Sequence, residues 1–303
     1  MTSISVIMIT YGHEKFIGEA IEGVLMQKGD FELELIIAND YSPDNTDVIV
    51  HDILNKNPLA SCIRYFKHKE NKGMMSNFIF ALQQAKSEYI ALCEGDDYWI
   101  DPLKLQKQAR FLEQNEKYVI HSGQAQMLVD NKLKDIIGNP LLKSTYDISD
   151  FFTKNNLISC TIMFRNKLID YKCFKDLIFG DWMLSVLLLS NNKSNLAYVS
   201  DEVLAVYRVH QGGVMQTLTN QYDNEVTHLR QIIAINKCID TTYNEDDFKK
   251  INFYCLSIFK CLLNKRKYKA CVSIFIKNYL LVKNRLQIRK YLSYSKHNFF
   301  KLL

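Results

Sequence analysis

Apolar positions along the first hundred residues follow two alternating rhythms. Ile4–Ile9 (ISVIMI) is a short continuous apolar run bounded by polar residues, which predicts a buried strand. Phe16, Ile17, Ala20, Ile21, Val24 and Leu25 then recur at helical spacing. Leu33–Ala38 predicts a second strand that ends at Asn39-Asp40. Ser42-Pro43-Asp44-Asn45 reads as a turn and helix cap, with a helix to about Asn55. Cys62–Lys67 predicts a third strand, Met74–Ala85 a helix and Tyr89–Cys93 a fourth strand. This alternation implies an α/β fold with a mostly parallel sheet covered on both faces. The middle third mixes both rhythms, in Val119–Val129, Ser159–Phe164, Trp182–Leu189 and Val203–Tyr207. From about Thr217 the spacing is helical, through 226–239, 251–263 and 268–282. The expected organisation is an α/β domain over 1–215 and a helical region over 216–303.

Composition narrows the class. The 303 residues are 48% apolar and 12% aromatic, enough for a sizeable core and against general disorder. Four Pro and eleven Gly exclude collagen-like or linker-dominated chains. The eight cysteines form no CxxC and mostly sit among apolar residues, so buried reduced thiols are expected. Residues 1–10 lack a basic leader, and no apolar run approaches the roughly 20 residues of a membrane span. A cytoplasmic location is expected. The net charge of +5 conceals a division. Residues 249–303 hold fourteen Lys/Arg and no Asp or Glu, which leaves 1–248 at −9. A basic tail on an acidic body points to an anionic partner. An anionic membrane surface on the inner face is the partner favoured. Nucleic acid is disfavoured because no recognition motif accompanies the charge. The alternative is a packing domain with a solvated basic face.

In parallel α/β sheets ligands bind at the carboxyl ends of the strands. Here those ends carry Thr10-Tyr11, Asn39-Asp40 and Glu94-Gly95-Asp96-Asp97. Three carboxylates within four residues repel unless a cation or donors offset them. Oxygen ligands of this kind suit Mg²⁺ or Mn²⁺ beside substrate phosphates. Taken alone, the cluster reads equally as a solvated acidic turn before a helix.

Three segments, SVIMITYGHEKFIGEAIEGVLMQ, ELIIANDYSPDNT and ENKGMMSNFIFALQQAKSEYIALCEGDDYWIDPLKLQKQARFL, together resemble the family 2 glycosyltransferases over roughly residues 3–125. EGDDYWIDPLKLQKQ is similar to bacterial enzymes that build surface polysaccharides such as capsule and lipopolysaccharide. The resemblance implies the GT-A fold, a Rossmann-like sheet flanked by helices. It implies that Thr10, Tyr11 and Glu14 lie in the nucleotide segment, with Tyr11 against the base, and that Asp40 bonds the uracil of a UDP-sugar. Glu94 and Asp96 take the two acidic places of the DXD motif. Glu94, where the family more often has Asp, would reach the ribose, and Asp96 would bind the metal. Asp97 would support the metal or the donor sugar, and Trp99 would line the sugar pocket, with core packing as the equal alternative for Trp99. Asp181 in FGDW matches the general base, often a Glu-Asp pair of which one acid is present here; capping of the next helix is the other reading. In YRVHQGG, His210 would complete the metal shell or touch the diphosphate, Arg208 would pair with phosphate, and Gly212-Gly213 suit a mobile lid or a close backbone approach. His13 is read as a surface or loop residue without chemistry.

The reaction so implied is inverting transfer from a nucleotide sugar to a glycan or lipid-linked acceptor. A metal and Arg would neutralise the leaving diphosphate, so one base suffices. Two other classes remain open at this stage. One is a silent nucleotide-sugar-binding or scaffold protein. The other is a nucleotidyltransferase, which would normally show a Gly-rich phosphate loop where this chain has TYGHEKF.

Overall fold

The structure is a computed structural model and describes residues 1–138, 143–218, 220–283 and 286–299. In chain order the elements are β1 (Thr2–Thr10), α1 (Ile17–Leu25), β2 (Phe31–Asn39), α2 (Thr46–Lys56), β3 (Ile63–Lys67), α3 (Met74–Gln84), β4 (Tyr89–Leu92), β5 (Tyr98–Trp99), α4 (Lys104–Gln114), β6 (Tyr118–Val129), β7 (Lys132–Ile137), β8 (Thr145–Tyr146), β9 (Met163–Arg165), α5 (Gly180–Ser190) and β10 (Leu196–Val209). Helices α6 (Val214–Thr217), α7 (Gln221–Cys238), α8 (Glu245–Asn264), α9 (Tyr268–Val282) and α10 (Ile288–Phe299) follow. The chain divides into two compact units, Met1–Ile148 with Asn155–Gln216, and Ser149–Lys154 with Thr217–Leu303. The boundary expected near 215 does not include the short Ser149–Lys154 segment, which no shift in composition marks.

In the first unit one sheet runs in the order β3-β2-β1-β4-β9-β6-β10-β5. Strands β3, β2, β1, β4, β6 and β10 run one way, while β9 and β5 run against them. The mostly parallel sheet is therefore present. Its first strands are buried on both faces, as helix-covered parallel strands must be: Ile4, Val6 and Met8 pack with Leu35, Ile37 and Tyr89. Helix α1 adds Ile17, Ala20, Ile21, Val24 and Leu25 to the same core. Helix α5 is apolar all round and buried from Trp182 to Leu189, the pattern of an enclosed helix.

Two middle elements differ from the pattern-based expectation. Ser159–Phe164 is not one strand. Ser159–Thr161 forms a 3₁₀ turn, because the Thr161 hydroxyl donates back to the Ile158 carbonyl (2.8 Å), and only Met163–Arg165 joins the sheet. β10 is longer than Val203–Tyr207, because a register shift between Val199 and Val203 carries exposed Asp201 and Glu202 and breaks the apolar run.

Four helices form most of the second unit. Asn244 and Asp247 cap α8 reciprocally, and Asp247 also accepts from the Thr153 hydroxyl (2.6 Å). Ile251, Cys255, Ile258, Phe259 and Leu262 of α8 are buried, as are Cys271, Ile274 and Val282 of α9. No helix among the described residues is long and apolar enough to cross a membrane. Arg285 and Lys301 of the basic tail lie outside the described residues. Cys62, Cys93, Cys160, Cys255, Cys261 and Cys271 are free thiols. Cys173 and Cys238 are not among these free thiols, which corrects the expectation of eight reduced thiols.

A buried lysine stands at the start of α4. Lys104 is wholly enclosed, its ammonium 3.9 Å from the Trp99 ring centroid and donating to Gln108 Oε1 (2.8 Å). The Gln108 amide in turn meets His121 Nδ1 (3.0 Å) and the Thr161 carbonyl (2.9 Å). Burial pushes the Lys104 ammonium down to about 7 and the His121 imidazole down to about 3. The unfolded chain therefore binds more protons at Lys104 than the folded one from about pH 7 up to the ordinary lysine value of 10.5, so this residue's penalty shrinks as pH rises through that window. Lys104→Met is expected to be more stable than wild type at pH 7, with the gap narrowing by on the order of 2 kcal/mol by about pH 9. Urea unfolding of both proteins across this range checks it, and a gap independent of pH contradicts it.

Candidate active site

The parallel ladder between β1 and β4 continues past the strand ends. Cys93 N donates to the Ile7 carbonyl and Gly95 N to the Ile9 carbonyl, both at 3.0 Å. The acidic turn is thus laid against Thr10. Gly95 is required there, since a Cβ would come within 2.8 Å of Thr10 Oγ1. On the other side of β1, Asp40 N donates to the Thr10 carbonyl (2.9 Å), which sets Asp40 beside the same strand end. Tyr11 and Tyr41 stand exposed after β1 and β2.

Asp96 lies between two imidazoles. Its Oδ2 is 3.0 Å from His210 Nε2 and 3.8 Å from His13 Nε2. Burial disfavours the Asp96 anion, but the His210 hydrogen bond and the charge of the two histidines outweigh it and hold the carboxyl below its usual range. Burial lowers the His13 pKa despite the Asp96 charge, so its ring favours the neutral, ligating form. The donor atoms of His13, Asp96 and His210 all lie within 4.8 Å of one another, so the three could hold one metal ion. Phe16 packs beside both rings, 4.7 Å from His210 and 6.3 Å from His13.

The two flanking acids are held differently. Asp97 Oδ1 accepts from the backbone N–H of Arg208 (2.8 Å). Burial and the neighbouring Asp96 and Glu94 charges push Asp97 well above the carboxylate range. Glu94 accepts from the Ser159 hydroxyl and leaves its Oε2 buried without a partner. Burial raises Glu94 to about 7, with the Asp96 and Asp181 charges adding to the rise. Asp181 opens α5, where Gly180 lets the helix approach Phe78 and Met75; a Cβ would meet them at 3.0–3.1 Å. Asp181 Oδ2 accepts from Asn155 Nδ2 (2.7 Å), and burial raises its pKa.

The sequence pattern of Glycosyl transferase family 2 matches residues 5–171. The chain belongs to this family. An uncharacterized protein of Mycobacterium tuberculosis is 30% identical over 211 residues, which cover 69% of this chain and 60% of that relative, so less than two thirds of the relative's length is matched. S. aureus TarS 1–349 in complex with UDP-GlcNAc is similar over 87% of this chain and 73% of its own, with 19% identity and a TM-score of 0.57. A mannosyltransferase from Pyrobaculum calidifontis in complex with GDP-Man and Mn²⁺ is similar over 98% and 87%, with 12% identity and a TM-score of 0.59. At these identities the two structures share the fold, the GT-A arrangement of sheet and helices.

Within this family 2 framework several expected residues are placed otherwise than their motifs imply. His13 is not a free loop residue; it faces Asp96 and is the member of the metal-competent group that motif reading leaves out, although its position three residues past β1 puts it at the strand end. Glu14 Oε2 accepts from Asn45 N and Nδ2, both at 3.0 Å, and ties α1's lead-in to α2, a structural partner its motif does not signal. Trp99 cannot line a sugar pocket: it is 1% exposed, with its indole N–H on the Cys160 carbonyl (2.6 Å). The Thr10 hydroxyl is buried without a partner. Asp40 is buried and accepts from Lys72 N (2.7 Å). Ser159 and Asn155, which hold Glu94 and Asp181, carry no motif signal.

Arg208 is tied to the acidic turn. It is 7% exposed, and its guanidinium donates to the Asp96 carbonyl (2.7 Å) and to Glu19 while lying 4.4 Å from the Tyr98 ring and 5.1 Å from the Phe16 ring. Through these bonds it braces the acidic turn. Arg208→Ala leaves these acids without their cation and is expected to cost about 3 kcal/mol of stability. Denaturant unfolding checks this, and a midpoint equal to wild type contradicts it.

Proposed function

We propose that this protein is an inverting, metal-dependent glycosyltransferase. It transfers a sugar from a nucleotide sugar, with UDP as the favoured nucleotide, to a glycan or lipid-linked acceptor in cell-surface polysaccharide synthesis. The observation that carries this reading is the convergence of His13, Asp96 and His210 at the carboxyl edge of a family 2 sheet. The donor class is supported by the UDP-GlcNAc and GDP-Man found in the two similar structures. The basic helices of the second unit would hold the enzyme peripherally at an anionic membrane face, where lipid-linked acceptors reside.

The donor set fits a divalent ion. Two imidazoles and a carboxylate, with nitrogen–oxygen separations of 3.0 and 3.8 Å, suit Mn²⁺ better than Mg²⁺, which prefers all-oxygen shells. When bound, such an ion supplies positive charge to a leaving diphosphate. Tyr11 offers an exposed ring to the base, and Asp40 anchors the loop after β2 beside it. Glu94 stands at the same edge and would reach the ribose. Asp97 and Arg208 keep Asp96 in position, through the Arg208 bonds to both residues. Asp181 accepts the proton of the acceptor hydroxyl. Asn155 orients this carboxylate by donating to its Oδ2. Because burial raises its pKa, Asp181 is a stronger base than an ordinary aspartate.

Asp181→Asn is expected to lower transfer by roughly 10²–10⁴-fold while donor binding stays within about twofold of wild type. Lowering pH protonates Asp181, so the acid limb of kcat lies above the ordinary aspartate value of about 4. Turnover of a UDP-sugar panel with each protein across pH checks both. Wild-type turnover by the Asn variant overturns the base assignment.

A further inference from the structure

We infer that the outward half of α9 is a docking face for an anionic lipid surface. This rests on the reading of the basic region as the membrane-attaching part and names the residues that make the contact. Tyr268, Val272, Ile276, Tyr279 and Leu280 are 51%, 58%, 49%, 53% and 65% exposed. At 100° per residue they fall on one side of the helix. Cys271, Ile274, Asn278 and Val282 fall on the other and are buried. The helix is therefore apolar on both sides, with one side covered and one bare. Single exposed apolar residues are ordinary, but a contiguous stripe marks a contact surface.

Charge selects the occupant. Exposed Lys269 shares the bare half of α9, exposed Lys277 flanks it, exposed Lys283 follows the helix end, and exposed Lys265, Arg266 and Lys267 lead into it. No Asp or Glu occurs anywhere from 249 to 303. Lysine is depleted from protein–protein interfaces, whereas interfacial helices set Lys and Arg beside an apolar face. Tyr268 and Tyr279 add the amphipathic rings that favour the headgroup level. At fifteen residues α9 is about 22 Å long, suited to lying in the surface and too short to span it.

The test is sedimentation of the full chain with vesicles of phosphatidylcholine alone or of phosphatidylcholine and phosphatidylglycerol at two to one. Wild type is expected to bind the anionic vesicles and not the neutral ones. The triple variant V272S/I276S/L280S, whose changes lie on the exposed face, is expected to bind at least about tenfold more weakly. Circular dichroism and UDP binding report that the variant is folded. K269Q/K277Q/K283Q is expected to weaken binding and flatten its dependence on salt. Undiminished binding by the folded serine variant overturns the assignment of this face while leaving attachment through the basic region standing. Absence of wild-type binding to anionic vesicles overturns both. If light scattering shows a wild-type oligomer that the serine variant dissociates, the occupant is a second copy and the lipid proposal is wrong. Donor turnover without vesicles reports separately on the transferase reading.

Discussion

Three carboxyl groups at Glu94, Asp96 and Asp97 stand within four residues, and their mutual repulsion is the constraint that the first unit is arranged around. Each is relieved in its own way. Asp96 faces two imidazoles, Asp97 rests on a backbone N–H in a state burial keeps close to neutral, and Glu94 takes the Ser159 hydroxyl. Arg208 binds the turn as a whole, held between the Tyr98 and Phe16 rings and against Glu19. A site so organised retains one concentrated anionic point, Asp96, in a setting where a cation is the natural complement.

The fold supplies this arrangement through strand register. β1 is central, with β2 and β4 on either side, so residues just past the three strands arrive together. Gly95 lets the acidic turn lie against Thr10, and β10 returns from the far side of the sheet to deliver Arg208 and His210. Helix α5 and the chain at Asn155 bring in Asp181 from outside the parallel core. Residues about two hundred positions apart thus meet because the sheet edges align them.

Much of this was legible in the sequence because short-range pattern carries it. Periodicity marks β1 to β4 and the intervening helices, and the polar residues at their ends mark the edge where ligands bind. Family resemblance adds Asp96 and His210, which the structure brings within hydrogen-bond distance. What escaped is what depends on three-dimensional partners. His13 looks like any loop histidine until Asp96 is opposite it. Glu14 and Arg208 look only like ligand contacts, and their bonds to Asn45 and Glu19 appear only once the chain is folded. Trp99 looks like a sugar platform until Cys160 and Lys104 enclose it. The 3₁₀ turn at Ser159–Thr161 depends on a hydroxyl that bonds backward, which apolar pattern does not record. The exposed face of α9 was invisible for a related reason: periodicity says which residues share a side, and packing alone decides which side is covered.

The central claim is that a divalent cation at Asp96 and its two histidines grips a nucleoside diphosphate. Thermal shift of the chelator-treated protein with UDP-sugars, with and without added Mn²⁺, tests it most directly. The account predicts stabilisation by at least one UDP-sugar when Mn²⁺ is present and little or none in chelator. Equal shifts in the two conditions, or none in either, contradict it.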